Sequence, residues 1–250
     1  YGLYGAHTIN QEHNYMMTDP ERTLRFGLIN ACGLRKKLKC KDFVMELTNF
    51  DIIMICETKL DQLDCEYVSE IFNEAGFFIY LKNRHTYTNY RPGGVLIAAR
   101  FQLQNSVISR NTEYDNLAII ELSKHMTGFE KNVLIICAFL PPHGTRYSNV
   151  TLFEKLSDVI LSYSENDYYH LICGDLNAHT NDECEVFELN EDLYDALHID
   201  EEIRELLDVK RTMLALDIPM KRCSVDTKAD NSGYGNALLG VCRDHSLIIY

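Results

Sequence analysis

Short apolar runs alternate along this chain with longer segments of helical periodicity. Most of the runs are unbroken and of strand length, as expected for strands that are covered on both faces. They predict eight strands, at Leu24–Ile29, Ile52–Cys56, Phe77–Leu81, Val95–Ala99, Leu117–Leu122, Val133–Leu140, Tyr168–Cys173 and Leu247–Tyr250. Strands and helices in this order predict a layered α/β domain.

Helices are predicted between these strands. The clearest begins at Thr151-Leu-Phe-Glu154, which has the form of a capping box. It continues as one apolar stripe at helical spacing, made of Leu152, Leu156, Val159, Ile160 and Tyr163. The other predicted helices are Leu34–Asn49, Asp64–Glu74, Ile199–Leu216 and Asn236–Arg243. The chain has no repeats and no linker-like stretch, so we expect one domain over residues 24–250, preceded by an N-terminal extension of residues 1–23.

The negative charge of the chain is concentrated in one segment. The net charge is −13, which by itself argues against a nucleic-acid ligand. Between Asp182 and Asp208, however, twelve acidic residues face one Arg, and the rest of the chain carries a net charge of only −2. We interpret residues 180–210 as an acidic, solvated surface insertion. A phosphate-bearing substrate elsewhere on the molecule therefore stays possible.

Cysteine usage and the N-terminus predict an intracellular protein. The nine cysteines are an odd number and form no C-x-x-C pair, so reduced thiols are expected and a zinc site is not. Residues 1–20 have no basic stretch followed by an apolar one, as a secretory signal would. No apolar run approaches the ~20 residues that a membrane span needs. A nuclear location is compatible with these features.

Polar side chains follow three of the predicted strands directly. Asn30 follows the first strand, Glu57 the second, and Asp175 and Asn177 the seventh. Ligands collect at the carboxyl ends of strands in layered α/β folds. Carboxylate oxygens are hard ligands for Mg²⁺, and an Asn amide can hold a water or a phosphate oxygen. This pattern predicts half of a phosphodiester hydrolase site. A turn or capping role explains Asn30 alone equally well, whereas the G-D-x-N run at Gly174 is the strongest signal.

Five short motifs occur in the order found in the endonuclease/exonuclease/phosphatase superfamily, and they resemble most the apurinic-type endonuclease domain of non-LTR retrotransposons. These motifs are Leu28–Leu34, Ile53–Thr58, Gly93–Ile97, Phe139–Pro142 and Ile172–Ala178. The resemblance implies a four-layer α/β/β/α sandwich of two mostly antiparallel sheets. It also implies DNA nicking that depends on Mg²⁺ or Mn²⁺, with DNA as the partner and no obligate protein partner.

The resemblance also implies a role for each polar residue at the strand ends. Glu57 is the implied metal ligand, and Asn30 supports that site. Asp175 would orient the attacking water, while Asn177 would hold the scissile phosphate. His179 and Phe139 are two further candidate substrate contacts near this cleft, and for His179 a solvated loop position is the simpler explanation.

The sequence departs from the family pattern at three places. Cys32 stands where many relatives carry an Asp beside the metal, and Phe139 replaces a Tyr whose hydroxyl faces the phosphate. The family's closing S-D-H motif has a superficial counterpart at Asp244-His245, which we interpret instead as the end of a helix. We therefore expect a sheet that is incomplete at the C-terminus with an unpaired edge, no catalytic His, and little or no nuclease activity from these 250 residues alone.

Two alternatives to a DNA endonuclease remain open. One is a phosphomonoesterase or lipid-phosphate hydrolase of the same superfamily, which would use Glu57, Asp175 and Asn177 on a different substrate. The other is a degenerate, non-catalytic domain, favoured by Cys32 and Phe139. The helix and strand predicted within residues 234–250 resemble those of retroelement relatives and favour the endonuclease.

Overall fold

Two four-stranded sheets form the centre of the molecule. We describe the protein from a computed structural model, in which residues 23–82, 93–146, 148–164, 168–183, 195–196, 198, 200 and 233–249 are described. Within these ranges the strands are β1 (Phe26–Asn30), β2 (Ile52–Cys56), β3 (Phe77–Lys82), β4 (Val95–Arg100), β5 (Val107–Arg110), β6 (Leu117–Leu122), β7 (Val133–Phe139) and β8 (Tyr169–Asp175). Seven of the eight predicted strands are confirmed, with bounds that differ by at most two residues.

Each sheet contains one parallel and two antiparallel pairings. The first sheet has the order β1-β2-β4-β3, and the second has the order β5-β6-β7-β8. The parallel pairs are β1 with β2 and β7 with β8. In the first of these Asn30 lies opposite Cys56, and in the second Asp175 lies opposite Phe139. Two strands that pair in parallel end at the same edge of their sheet. The residues that follow β1 and β2 therefore lie close together, and so do those that follow β7 and β8.

The sheets are buried on both faces, as their unbroken apolar sequences predict. Alternate residues of β2, such as Met54, face the second sheet, where they meet residues such as Ile135 of β7. The intervening residues, such as Ile55, face an outer helix layer. The second sheet likewise packs against helices with its other face, for example through Ile136. A fully buried Ile of this kind contributes about 1.5–3 kcal/mol. The predicted four-layer α/β/β/α sandwich is confirmed.

Six α-helices surround the sheets in the described part of the chain. They are α1 (Leu34–Lys37), α2 (Lys41–Leu47), α3 (Cys65–Glu74), α4 (Lys124–Thr127), α5 (Thr151–Ser164) and α6 (Tyr234–Asp244). Helices α1, α2 and α3 cover the first sheet, and α5 and α6 cover the second. Two short 3-10 helices, Gln62–Asp64 and Phe101–Ser106, complete the set.

The single helix predicted over Leu34–Asn49 is wrong, because the chain forms α1 and α2 separately. Leu34 of α1 and Phe43 of α2 both pack in the same outer core. In one straight helix, nine residues of spacing would turn Phe43 about 180° away from Leu34. The break at Leu38–Cys40 brings both side chains onto the sheet.

The start of α5 also differs from its prediction. Thr151 is already helical, and its backbone N–H donates to Asn149 Oδ1 at 3.0 Å. Asn is as good a capping residue as Thr, so Asn149 takes the role that the predicted capping box assigned to Thr151. The apolar stripe is formed as predicted, with Leu156, Val159 and Ile160 buried.

The last predicted strand does not form, since residues 247–249 are not in a strand. Instead α6 ends in a Schellman turn. Ser246 has a positive φ of 53°, and the Leu247 N–H donates to the Cys242 carbonyl at 2.8 Å. The Leu247 side chain then packs against the α5–α6 core. Apolar residues predicted as a strand therefore serve as the hydrophobic contact of a helix end.

One strand, β5, has no counterpart among the predictions. It is a four-residue strand at the edge of the second sheet, and its two central residues are exposed. The N-terminal extension up to residue 22, the predicted helix Ile199–Leu216 apart from Asp200, and most of the acidic segment lie outside the described residues. Among the helices that are described, none combines the length and the apolar character needed to cross a membrane.

Candidate active site at the ends of three strands

Three strand ends that are distant in sequence meet at one edge of the sandwich. Strand β1 ends at Asn30, β2 is followed by Glu57, and β8 ends at Asp175. Strands β1 and β2 belong to the first sheet, and β8 is the edge strand of the second. Because β8 packs against both β1 and β2, the two sheets bring these residues together.

A hydrogen bond between Asn30 and Asp175 joins the two sheets at this edge. Asn30 Nδ2 donates to Asp175 Oδ2 at 2.7 Å, across 145 residues of sequence. The other end of the amide is also held, because the backbone N–H of Cys32 donates to Asn30 Oδ1 at 3.0 Å. Asn30 is thus fixed at both ends and orients the Asp175 carboxylate.

The G-D-x-N turn holds the second oxygen of the same carboxylate. The backbone N–H of Asn177 donates to Asp175 Oδ1 at 3.2 Å. The Asn177 side chain in turn donates from Nδ2 to the carbonyl of Leu140 at 2.8 Å. Asn177 has a φ of 48°, in the left-handed region that Asn tolerates better than most residues. The motif therefore places Asp175 and Asn177 side by side on a constrained turn.

Glu57 lies at the end of β2, beside the same cluster. It has a φ of 50°, and its side chain is 18% exposed. The pKa of the Cys56 thiol is lowered, first by its hydrogen bond to Cys137, whereas the negative charges of Asp175 and Glu57 act to raise it. The Glu57 carbonyl accepts a hydrogen bond from the Gly33 N–H at 2.9 Å, so the end of β2 adjoins the loop that follows Asn30.

Lys59 is a member of the cluster that sequence reasoning missed. Its Nζ lies 2.9 Å from Glu57 Oε2 and 3.4 Å from Cys32 Sγ. The hydrogen bond to Glu57 is the main reason that the pKa of Lys59 is raised, and the contact with Cys32 adds to it. The sequence signal was the Glu57-Thr58-Lys59 triplet, in which residues two apart carry opposite charges. In an extended segment such residues share a face, but only the fold shows that they pair.

His179 and Phe139, the other two candidate substrate contacts, differ in their exposure to solvent. His179 is partly exposed in the loop that follows Asn177, two residues from the cluster along the chain. Phe139 is only 3% exposed and packs in the core between the sheets. Its Cα partner in the β7–β8 ladder is Asp175, and ladder partners carry their side chains on the same face of a sheet, so the role of Phe139 as a substrate contact stays a prediction.

Asp244-His245 ends a helix, as the sequence analysis predicts. Asp244 is the last residue of α6 and His245 is its C-cap. His245 Nε2 lies 2.7 Å from Ser157 Oγ of α5, and its charge acts on His170 near the start of β8. His170 and Asp175 are five residues apart on β8, about 16 Å along the strand. His245 therefore serves the opposite end of the sheet from the candidate site.

The side chains of the cluster fit a hard divalent ion better than a zinc ion. Within the described ranges no group of three or more His, Cys, Asp and Glu residues is placed to hold a metal, as a structural zinc site would require. Mg²⁺ needs only one or two protein carboxylates and keeps its other positions for water and phosphate. Glu57 supplies such a carboxylate at the partly exposed end of β2, so the residues present fit Mg²⁺ or Mn²⁺.

Several solved structures are similar to this chain. AP endonuclease LMAP from Leishmania major is similar with a TM-score of 0.57 and 13% identity, over 91% of this chain and 68% of that one. The 3′ phosphatase NExo from Neisseria, bound to a product DNA hairpin, gives a TM-score of 0.48 and 15% identity, over 66% of this chain and 62% of that one. An AP endonuclease from Archaeoglobus fulgidus gives a TM-score of 0.44 and 14% identity, over 78% of this chain and 71% of that one.

The similarity to the Leishmania protein establishes a shared fold. The chain spans less than two thirds of the length of the Neisseria enzyme. No protein-family model matches the sequence, and no curated protein matches it either.

Proposed function

We propose that this protein is a metal-dependent phosphodiester hydrolase, and specifically a DNA-nicking endonuclease domain of the retroelement type. The observation that carries the proposal is the 2.7 Å hydrogen bond from Asn30 to Asp175, formed where the ends of β1 and β8 meet beside Glu57. The packing of two apolar sheets does not explain why an amide and two carboxylates collect at this edge. A phosphodiester hydrolase would use all three.

Each side chain of the cluster has a role in this proposal. Asp175 is held through both carboxylate oxygens, by Asn30 and by the Asn177 N–H, and is oriented to direct a water molecule at phosphorus. Asn177 lies beside it to hold a phosphate oxygen, and His179 lies two residues further along to contact the substrate. Glu57 would hold Mg²⁺ or Mn²⁺, which when bound supplies Lewis-acid stabilisation of charge on the phosphate. Fixed orientation of this kind provides a large share of catalytic rate enhancement.

DNA is the substrate that we favour, for three reasons. The sequence motifs resemble those of retrotransposon endonucleases, and the fold is shared with a protein named as an AP endonuclease. The negative charge is concentrated between residues 182 and 208, so the rest of the chain is close to neutral. With DNA as its substrate the protein would act inside the cell, with the nucleus as its expected location.

We expect little or no DNA nicking by this protein. The family resemblance implies a His that contacts the phosphate or acts as a base, and His245 is bound to Ser157 at the far end of β8. Loss of one positioned acid–base group typically costs a factor of about 10²–10⁴ in rate.

Mn²⁺ titration followed by electron paramagnetic resonance tests the hydrolase proposal directly. The wild-type chain should show weak, saturable binding that is lost in Glu57→Gln and kept in Asp175→Asn. Absence of Glu57-dependent binding at millimolar Mn²⁺ would refute the proposal. Nicking of supercoiled plasmid, measured in parallel, should be slow and should disappear in Asp175→Asn. Rapid nicking that depends on Asp175 would support the hydrolase and contradict only the expectation of low activity.

A non-catalytic binding domain is the second candidate, favoured by one observation. The carboxylate of Glu57, the implied metal ligand, is already paired with Lys59 at 2.9 Å. A permanent pair of this kind would leave the site without a metal. The same Mn²⁺ titration separates the two candidates, because a binding domain needs no Glu57-dependent metal site.

A further inference from the structure

We propose that Lys59 is a positioning residue that links metal binding to substrate binding at this site. In the metal-free protein its ammonium holds the Glu57 carboxylate and opposes a divalent ion there. When DNA binds, the same ammonium serves as a counter-ion for the substrate phosphate. This inference rests on the proposed function, since it assumes that Glu57 is the metal ligand.

The backbone around Lys59 is fixed, so its position is not that of a freely moving surface lysine. The Lys59 N–H donates to the Gly93 carbonyl at 2.9 Å, and the Thr58 N–H donates to the Gly94 carbonyl at 3.2 Å. Thr58, between the two charged residues, is fully buried. A Cβ on Gly94 would lie 2.4 Å from Thr58 Oγ1, which shows how closely the two segments approach.

The two residues of the ion pair, on either side of Thr58, both have a left-handed backbone conformation. Glu57 has a φ of 50° and Lys59 a φ of 52°, a region that few residues other than Gly occupy. Strained conformations persist only where the surrounding structure holds them, and they cluster at functional sites. Here the two strained residues are the two members of the ion pair.

Lys59 is connected to Asp175 through a continuous series of polar contacts. Its Nζ lies 3.4 Å from Cys32 Sγ, the Cys32 N–H donates to Asn30 Oδ1, and Asn30 Nδ2 donates to Asp175 Oδ2. The ammonium therefore adjoins the loop that holds Asn30, the partner of Asp175, next to the place where the scissile phosphate would bind. Lys59 is also 35% exposed, so a ligand can reach it.

Cys32 increases the competition between Lys59 and a metal ion for the Glu57 carboxylate. It places sulfur beside Lys59, where the family resemblance places a carboxylate. The ammonium and a divalent ion then compete for the oxygens of Glu57 alone. With a second carboxylate at position 32, each of the two cations could bind its own carboxylate. Two cations close to one carboxylate repel each other, so removing either one strengthens the binding of the other.

Lys59→Met should therefore move two binding constants in opposite directions. Without Lys59 the competition ends, and Mn²⁺ should bind about three- to tenfold more tightly. A labelled DNA duplex with a 5′-phosphorylated nick, titrated in EDTA at low salt, should bind about three- to tenfold more weakly, because a phosphate contact is lost. Lys59→Arg should keep the DNA affinity. Lys41→Met, on the outer helix layer, removes the same charge and should change neither constant.

The outcomes separate this inference from the proposed function. If Lys59→Met leaves Mn²⁺ binding unchanged, or moves both constants in the same direction, the inference is overturned while a Glu57-dependent metal site stands. If the wild type shows no Glu57-dependent Mn²⁺ binding at all, the proposed function fails and the inference fails with it. Circular dichroism of each variant establishes that it is folded.

Discussion

Replacement of Gly174 by Ala would place a methyl group against the backbone of the neighbouring strand. Gly174 is in β8, and its Cα partner in the parallel ladder is Ala138 of β7. A Cβ at Gly174 would lie 1.8 Å from the Ala138 carbonyl oxygen and 2.7 Å from its carbonyl carbon. Ordinary contact begins at 3.4 Å. Neither backbone group can rotate away as a flexible side chain would, so the two strands must separate.

The loss of stability can be estimated from this separation of the two strands. Overpacking of a filled core costs about 1–3 kcal/mol. Opening the ladder next to Ala138 also weakens one or two backbone hydrogen bonds, each with a net contribution of about 1 kcal/mol. We therefore expect Gly174→Ala to lower the free energy of unfolding by about 2–5 kcal/mol. That is a large part of the roughly 5–15 kcal/mol by which domains are stable.

Urea denaturation followed by circular dichroism measures this effect. With an m value of about 2–3 kcal/mol/M, the midpoint should fall by about 1 M or more. Gly240→Ala is a matched control, because Gly240 is in α6 and a Cβ there meets nothing within 4 Å. That variant should gain about 0.5–1 kcal/mol from the helix preference of Ala. A midpoint for Gly174→Ala within experimental error of the wild type would refute the reasoning.

Three further predictions concern stability and association. The Thr58 hydroxyl is buried and has no hydrogen-bond partner among the described residues, so Thr58→Val should raise the free energy of unfolding by about 1 kcal/mol, and a decrease in urea denaturation would contradict this. Burial, and secondly the positive charge of His245, lower the pKa of His170. The unfolded chain then binds more protons below pH ~6.5, so stability should fall on acidification from pH 7 to pH 5, and His170→Gln should flatten that slope. Leu28 is 50% exposed on the edge strand β1, so Leu28→Lys should reduce self-association in light scattering. Leu161→Lys, at a similarly exposed position on α5, should not.

Much of the fold could be predicted because its signal is local. Strands β2 and β6 have the predicted bounds, since each is an unbroken apolar run between polar residues. The failures occurred where a local pattern suits two structures. Leu247 and its apolar neighbours suit a strand, yet Leu247 closes a helix by a bond to Cys242. The apolar spacing of Leu34–Asn49 suited a helix, but its two halves face the sheet only if the chain breaks.

The candidate site could be predicted only in part. Asn30, Glu57 and Asp175 were identified because each follows a strand directly, and parallel strands end at a shared edge. Phe139 is a predicted substrate contact by its place in a motif, and the structure shows it buried next to Asp175 in the β7–β8 ladder. Lys59 was missed because a charged residue two positions after a Glu looks, in sequence, like ordinary solvated surface.

The sequence by itself determined seven of the strands, the helices α3, α5 and α6, and the polar residues at three strand ends, because each depends on the burial or polarity of neighbouring residues. The tertiary structure decided which ends meet. The hydrogen bond between Asn30 and Asp175 spans 145 residues, and the pairing of Lys59 with both Glu57 and Cys32 joins two loops. Such contacts depend on how two sheets pack, which no local pattern encodes. They bring polar residues that are far apart in the sequence together in one site.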